Sequence, residues 1–338
     1  MSIKDIELFD ISRYRQQLMG LAMIFIILFH ISLPRSDMFF GLRRMGNIGV
    51  DIFLFLSGVG LWFSWTKMRQ EEQPFLRKWA AFYWRRLKRV YPAWVTVASL
   101  YYIPRFIDKP THSPEQWLDL FGDIAVNWGF WLHDELTFWY IPATMMLYIF
   151  AAPYMEMLCR CPVYRWMAVV PVIWCVMVQY VTPIHQSVGH IEIFWSRVPI
   201  FFLGINIAES VRRRETIDGR ALWLIAFLAV MCLGACIWLE QMRHGKFPLF
   251  IERMVYIPLT VSGVLLLAKA LCHAPRAFHA ATSWVGAISL ETYLIHSEFV
   301  LRHITPLHLG YWPSFLLTAG ISLPLAFLLH RILEKCVR

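Results

Sequence analysis

Charge is what this sequence has least of. Of 338 residues only 16% are Asp, Glu, Lys or Arg, where a soluble globular chain carries about 25%. Hydrophobic residues make up 58% and aromatics 16%, and mean hydropathy is +0.50. That shortage of charge excludes an ordinary soluble fold, which has no core large enough for so much apolar surface. An informative cysteine pattern is missing too. Cys159, Cys161, Cys175, Cys232, Cys236, Cys272 and Cys336 lie mostly inside apolar runs, and their spacings suggest neither a zinc site nor a disulfide framework. No metal is expected. There is no internal repeat, low-complexity tract or appended soluble domain, so 1–338 reads as one domain. No small-residue cleavage site follows the first apolar run, which starts behind Lys4, Arg13 and Arg15. That run is expected to be a retained helix, not a signal peptide.

What is present is a series of apolar stretches, each about long enough to cross a bilayer as a helix. Ten candidate spans are read: 17–34, 48–66, 90–107, 138–158, 166–182, 196–210, 221–239, 253–272, 284–301 and 314–333. The expected fold is all-α, a polytopic membrane helical bundle. The net charge of +9 is then a topological signal, not a nucleic-acid surface. With the N-terminus inside, cytoplasmic segments hold 21 basic residues and external ones seven. The positive-inside rule therefore predicts cytoplasmic N- and C-termini. The external loop 108–137 is rich in Trp and Phe, as a segment lying at the interface would be.

Ionisable residues within such spans are costly, and each is a functional hypothesis. His30 stands in the outer half of "LMGLAMIFIILFHISLP", and Asp51 opens the next span in "NIGVDIFLFLSG". Both lie about four positions from the outer ends of antiparallel neighbours, which predicts similar depth and contact. A carboxylate beside an imidazole fixes its tautomer and raises its basicity, as a general base requires. The competing reading is a satisfied structural pair. In "WVGAISLETYLIHSEFV", Glu291 falls near mid-membrane and His296 in the outer half. His296 either joins the outer cluster or is structural, and Glu291 either serves the site or bonds a neighbouring helix. Trp139, Tyr140, Arg197 and Arg253 stand at outer span ends, where they line a cleft or anchor the interface. On the opposite side, "FYWRRLKRVYPAW" carries Arg86 and Arg89, three apart and on one helical face. They are placed either to grip a phosphate or to meet anionic membrane lipid.

Several stretches together resemble the acyltransferase-3 family of membrane acyltransferases. They are His30 near the end of the first span, "GNIGVDIFLFLSGVGLW", "FYWRRLKRVYPAW", "FWYIPATMMLYI", "RVPIFFLGI" and "SLETYLIH", in family order over most of the chain. The resemblance implies transfer of an acyl group, often acetyl, from cytoplasmic acyl-CoA to a hydroxyl of an extracytoplasmic or lipid-linked glycan, in a bacterial inner membrane. It implies that His30 is catalytic and that Arg86 and Arg89 lie near the CoA phosphates. One position departs from the pattern. The family usually has Arg or Lys eleven places before the histidine; here that place holds Met19, with Arg15 one turn earlier on the same face.

The two readings combine into a mechanism in which His30, set by Asp51, takes the acceptor's hydroxyl proton or carries the acyl group itself. A proton-coupled transporter built on the same His, Asp and Glu residues is the alternative. Pro92, Pro142, Pro199, Pro258 and Pro324 interrupt spans as carriers often require. Acyl-CoA binding separates the two, and a non-catalytic scaffold would tolerate loss of both His30 and Asp51.

Overall fold

The computed structural model describes residues 5–72, 74–243 and 246–337; Lys4 and Arg338, counted among the basic residues above, lie outside them. The described chain is almost wholly helical. Its one sheet pairs β1 (Ile6–Glu7) with β2 (Thr216–Ile217), antiparallel. Ten helices matter for the site. They are α1 (Arg15–His30), α2 (Ile48–Arg69), α3 (Phe75–Ile107), α4 (Tyr140–Arg160), α5 (Val198–Arg212), α6 (Ala221–Arg243), α7 (Leu249–Leu271), α8 (Arg276–Ala287), α9 (Ser289–Ile295) and α10 (Tyr311–Val337).

Every predicted span falls on helix, but not every one is a full-length apolar helix. Six helices among the described residues are long and apolar enough to cross a membrane, and a pair bent by 46°, Thr182–Trp195 with Val198–Arg212, makes up to seven. Three predicted spans depart for separate reasons. The first, α1, has 16 residues, short of the about 20 needed at 1.5 Å rise. The third, α3, has 33 residues, roughly 50 Å, and its basic first half, residues 77–89, lowers its mean apolarity. The segment 284–301 is broken. Ile288 leaves the helical region at φ −103°, ψ 15°, and after α9 the chain unwinds into a wider π-helical stretch, His296–Leu301.

The centre of the bundle is α2. The best window of Phe40–Arg69 is 78% buried, against 17% for Ala221–Arg243 and 11% for Pro162–Tyr180. Membrane helices pack closely where side chains are small, and α2 uses glycine on two faces. A Cβ on Gly58 would strike the Phe201 carbonyl and one on Gly204 the Phe55 carbonyl, so α2 and α5 touch backbone to backbone. A Cβ on Gly49 would strike Ala22 of α1. α1 is clamped from its other side by α8, where Gly20 abuts Thr282 and Gly286 abuts the Gln16 carbonyl. The outer helices α6 and α10 instead expose large apolar side chains such as Trp223, Phe227, Leu316 and Leu328, as lipid-facing helices do.

The loop predicted to lie at an interface folds into a helix, Pro114–Val126, started by a Ser113–Gln116 capping box. It exposes Trp117, Leu118 and Phe121. At the basic end of the bundle the β1–β2 pair ties the N-terminal segment to the loop after α5. Leu8 N donates to the Glu215 carbonyl and Gly219 N to Asp5 Oδ1, both at 3.0 Å.

Candidate active site

His30 is the last residue of α1, because the chain turns extended at Ile31 (ψ 129°) before Pro34. Its neighbour is His296, the first residue of the π-helical stretch and 1% exposed. π-Helical turns are rare and concentrate at functional sites. The two rings meet edge to face, centroids 4.8 Å apart at 74°. His296 Nε2 lies 3.3 Å from His30 Nδ1.

The surrounding carbonyls assign the protons. His296 Nδ1 is 3.0 Å from the Thr292 carbonyl and 2.9 Å from that of Tyr293. Both are acceptors, so Nδ1 carries the hydrogen and Nε2 keeps a lone pair. His30 Nδ1 is 2.8 Å from the Ile26 carbonyl, so it too carries hydrogen, shared between Ile26 and His296 Nε2. His30 Nε2 is left with a free lone pair and makes no hydrogen bond among the described residues. That is the form a base or nucleophile needs.

Asp51 does not supply the partner predicted for it. Its carboxylate pairs with Arg197, Nε to Oδ2 at 3.5 Å, and both residues are buried. Arg197 also donates to Asn47 Oδ1 at 2.9 Å and to the Ile193 carbonyl at 3.2 Å, and stacks over Trp139 at 4.9 Å. The reasons are register and helical phase. Gly46 meets Phe25 and Phe29 and Gly49 meets Ala22, so Asp51 lies level with the middle of α1, several residues from His30, and two positions beyond Gly49 the direction has turned by about 200°. Glu291 also leaves the cluster and accepts from His330 Nδ1 of α10 at 2.8 Å. Arg253 is buried beside Glu252, 3.5 Å away, and over Tyr256.

Toward the other end lies a cavity of ≈ 80 Å³ bordered by Arg15, Met19, Gly60, Arg86, Arg89, Tyr140, Thr144, Tyr148, Ser289 and Tyr293. The two arginines three apart do share it, and Arg15 joins them. Arg15 donates to the Leu56 carbonyl at 3.2 Å, and its guanidinium lies against Gly60, where an added Cβ would be 2.9 Å from Cζ. Met19 borders the same space one turn on. Two buried polar atoms here lack protein partners, Arg86 Nε and Thr144 Oγ1, which suits a cavity built for a polar ligand.

Tyr293 connects the two regions. It lines the cavity, accepts from Tyr140 N at 3.3 Å, and its ring centre is 6.0 Å from that of His296. Sequence reading missed it, although its three-residue offset from His296 puts both on one helical face. It also missed His330, a residue in the last helix with no local signal toward Glu291.

The fold and site define a multi-pass helical membrane protein with a histidine pair at one end and a polar, arginine-lined cavity toward the other. The acyltransferase-3 family model, described as an acyltransferase domain, matches residues 17–331. The chain belongs to that family, and with it to the membrane acyltransferases. No curated protein and no solved structure matches it.

Proposed function

We propose that the protein is an O-acyltransferase, acting as one domain, that moves an acetyl group from cytoplasmic acyl-CoA to a hydroxyl of an extracytoplasmic or lipid-linked glycan. The observation that carries this reading is that Arg15, Arg86 and Arg89 border one cavity whose wall residue Tyr293 packs against His296, the partner of His30. Arginine side chains bind diphosphate bidentately, so the nucleotide end of the donor sits at the basic end of the bundle. The pantetheine arm then extends from that end of the bundle toward His30. Helical rise puts Arg15 and His30 roughly 22 Å apart along α1, so donor anchoring and chemistry fall at opposite depths. In this reading the protein sits in a bacterial inner membrane with its basic end toward the cytoplasm, an orientation that its excess of Lys and Arg supports.

His30 Nε2 takes the proton of the acceptor hydroxyl as its oxygen attacks the thioester carbonyl. The C–S bond then breaks, and the proton passes to the departing CoA thiolate. While His30 is charged, its Nδ1–H bond to His296 strengthens, so the second ring steadies the imidazolium. Asp51, Asn47, Arg197 and Trp139 tie together the ends of α2, α5 and α4.

The test is purified protein in detergent, supplied with labelled acetyl-CoA and glycan extracts. General-base assistance is worth about 10²–10⁴ in rate. The expected result is CoA binding by both wild type and His30→Ala, with transfer at least ~100-fold slower in the variant. Near-normal transfer by His30→Ala, or no CoA binding by either protein, would overturn the assignment.

A further inference from the structure

A second cavity lies beside the His30 end of α1. It has a volume of ≈ 740 Å³, within the range of sites for small organic ligands, about 300–1,000 Å³. Its walls are Phe25 and Leu28 of α1, Leu42, Ile48, Leu233 of α6 and Trp312 of α10. At its mouth Phe39 is 55%, Leu42 50% and Trp312 64% exposed, on the flank formed by the lipid-facing helices α6 and α10. The cleft therefore opens sideways toward acyl chains.

One cation lines it. Arg43 donates through Nη1 to the Phe29 carbonyl at 2.6 Å and reaches the Ile31 carbonyl at 3.4 Å, the residues on either side of His30. Its Nε is buried and has no protein partner. Its guanidinium stacks over Phe29 and Phe40, and Phe29 in turn packs edge-on against His30, 5.0 Å between centres. Asp37, the one carboxylate in the lining, accepts from Phe39 N at 2.8 Å. Neighbouring Arg44 is neutralised by Glu240 at 2.9 Å. The cleft thus combines apolar walls, lateral access, one unneutralised guanidinium and a place beside the reacting histidine.

We infer that this cleft holds the apolar chain of a lipid-linked acceptor, with the linking phosphate on Arg43 and the saccharide over His30. The inference rests on the acyltransferase reading and narrows it, since a free polysaccharide has no use for a buried apolar trough. The test uses farnesyl phosphate carrying a diazirine on its chain, added to the protein reconstituted in phosphatidylcholine vesicles. Irradiation should label residues 25–48 and the start of α10. Unlabelled farnesyl phosphate should compete at least tenfold better than farnesol or phosphatidylglycerol. Leu42→Trp, on the exposed rim, and Leu233→Trp should each cut labelling at least tenfold, and Arg43→Gln should erase the preference for phosphate over alcohol. Acetyl-CoA binding is measured on the same vesicles. Retained acetyl-CoA binding with no label in the cleft, or with equal competition by phosphatidylglycerol, overturns the cleft assignment alone. Loss of acetyl-CoA binding by wild type overturns the enzymatic reading beneath it.

Discussion

His296 supplies a lone pair to a proton it does not itself release, and this gives it a distinguishable role. Replacing it by Ala removes one acceptor from the His30 imidazolium. A hydrogen bond to a charged group contributes about 1.5–3 kcal/mol, so kcat should fall about 10- to 100-fold. Acetyl-CoA affinity should stay as in wild type, because His296 lies beyond Tyr293 from the arginines. A variant that loses CoA binding instead would make the residue a structural support for the cavity. At this scale the sequence is readable for residue type and misleading for partner. A histidine in an apolar run announces itself, and so does the arginine pair. Asp51 differs from expectation in both depth and face, because counting from span ends ignores the register that the glycines set: Gly46 meets Phe25 and Phe29 and Gly49 meets Ala22, so Asp51 falls level with the middle of α1.

Helices, not single residues, decide whether the arginine-lined cavity forms. α1 carries Arg15, Met19 and Gly20 within two turns, and Gly20 sits against the backbone of α8. Gly20→Leu must push the two helices apart. Overpacking costs about 1–3 kcal/mol when neighbours can yield, and here the neighbour is backbone, so a drop of about 3 kcal/mol or more and a clear loss of Tm are expected in a thermal-shift assay. Arg15→Gln removes a cavity cation without altering that contact. It should weaken acetyl-CoA binding about tenfold, the scale of one lost charge-assisted bond, and leave Tm near wild type. Unchanged affinity would mean that Met19 marks a true loss of the cation at this level. The helical elements were legible from apolar runs, since hydropathy needs only composition. The break at Ile288 and the π-helical stretch were not, because the first follows the docking of α8 on α1 and the second packs against α10, and no local residue pattern encodes either contact.

Across the whole molecule, the basic residues give the bundle a polarity that is open to measurement. Ser36, near the His30 end, is exposed, and Cys336, in the last turns of α10, is exposed as well. With the basic end facing the cytoplasm, a membrane-impermeant maleimide should label Ser36→Cys in intact cells. It should reach Cys336 only after lysis. Reversed labelling would place the histidine pair inside and invert the proposed direction of transfer. Charge counts alone predict the orientation, and this labelling checks it. The number of crossings was less so, because α1 is short, α3 is half basic, and 284–301 is bent into pieces.

The small β1–β2 pair has a bearing on biogenesis. Residues 6–7 find their strand partner only at 216–217, some 210 residues later in the chain. At a synthesis rate of about 5–20 residues per second, the first helix is made about 10–40 s before its anchoring strand exists. Until then Arg15 and Gly20 have neither the clasp nor α8 to hold them. The arginine-lined cavity is therefore completed late, after the strand following α5 has tied down the N-terminal segment and α8 has clamped α1, when α9 supplies Ser289 and Tyr293.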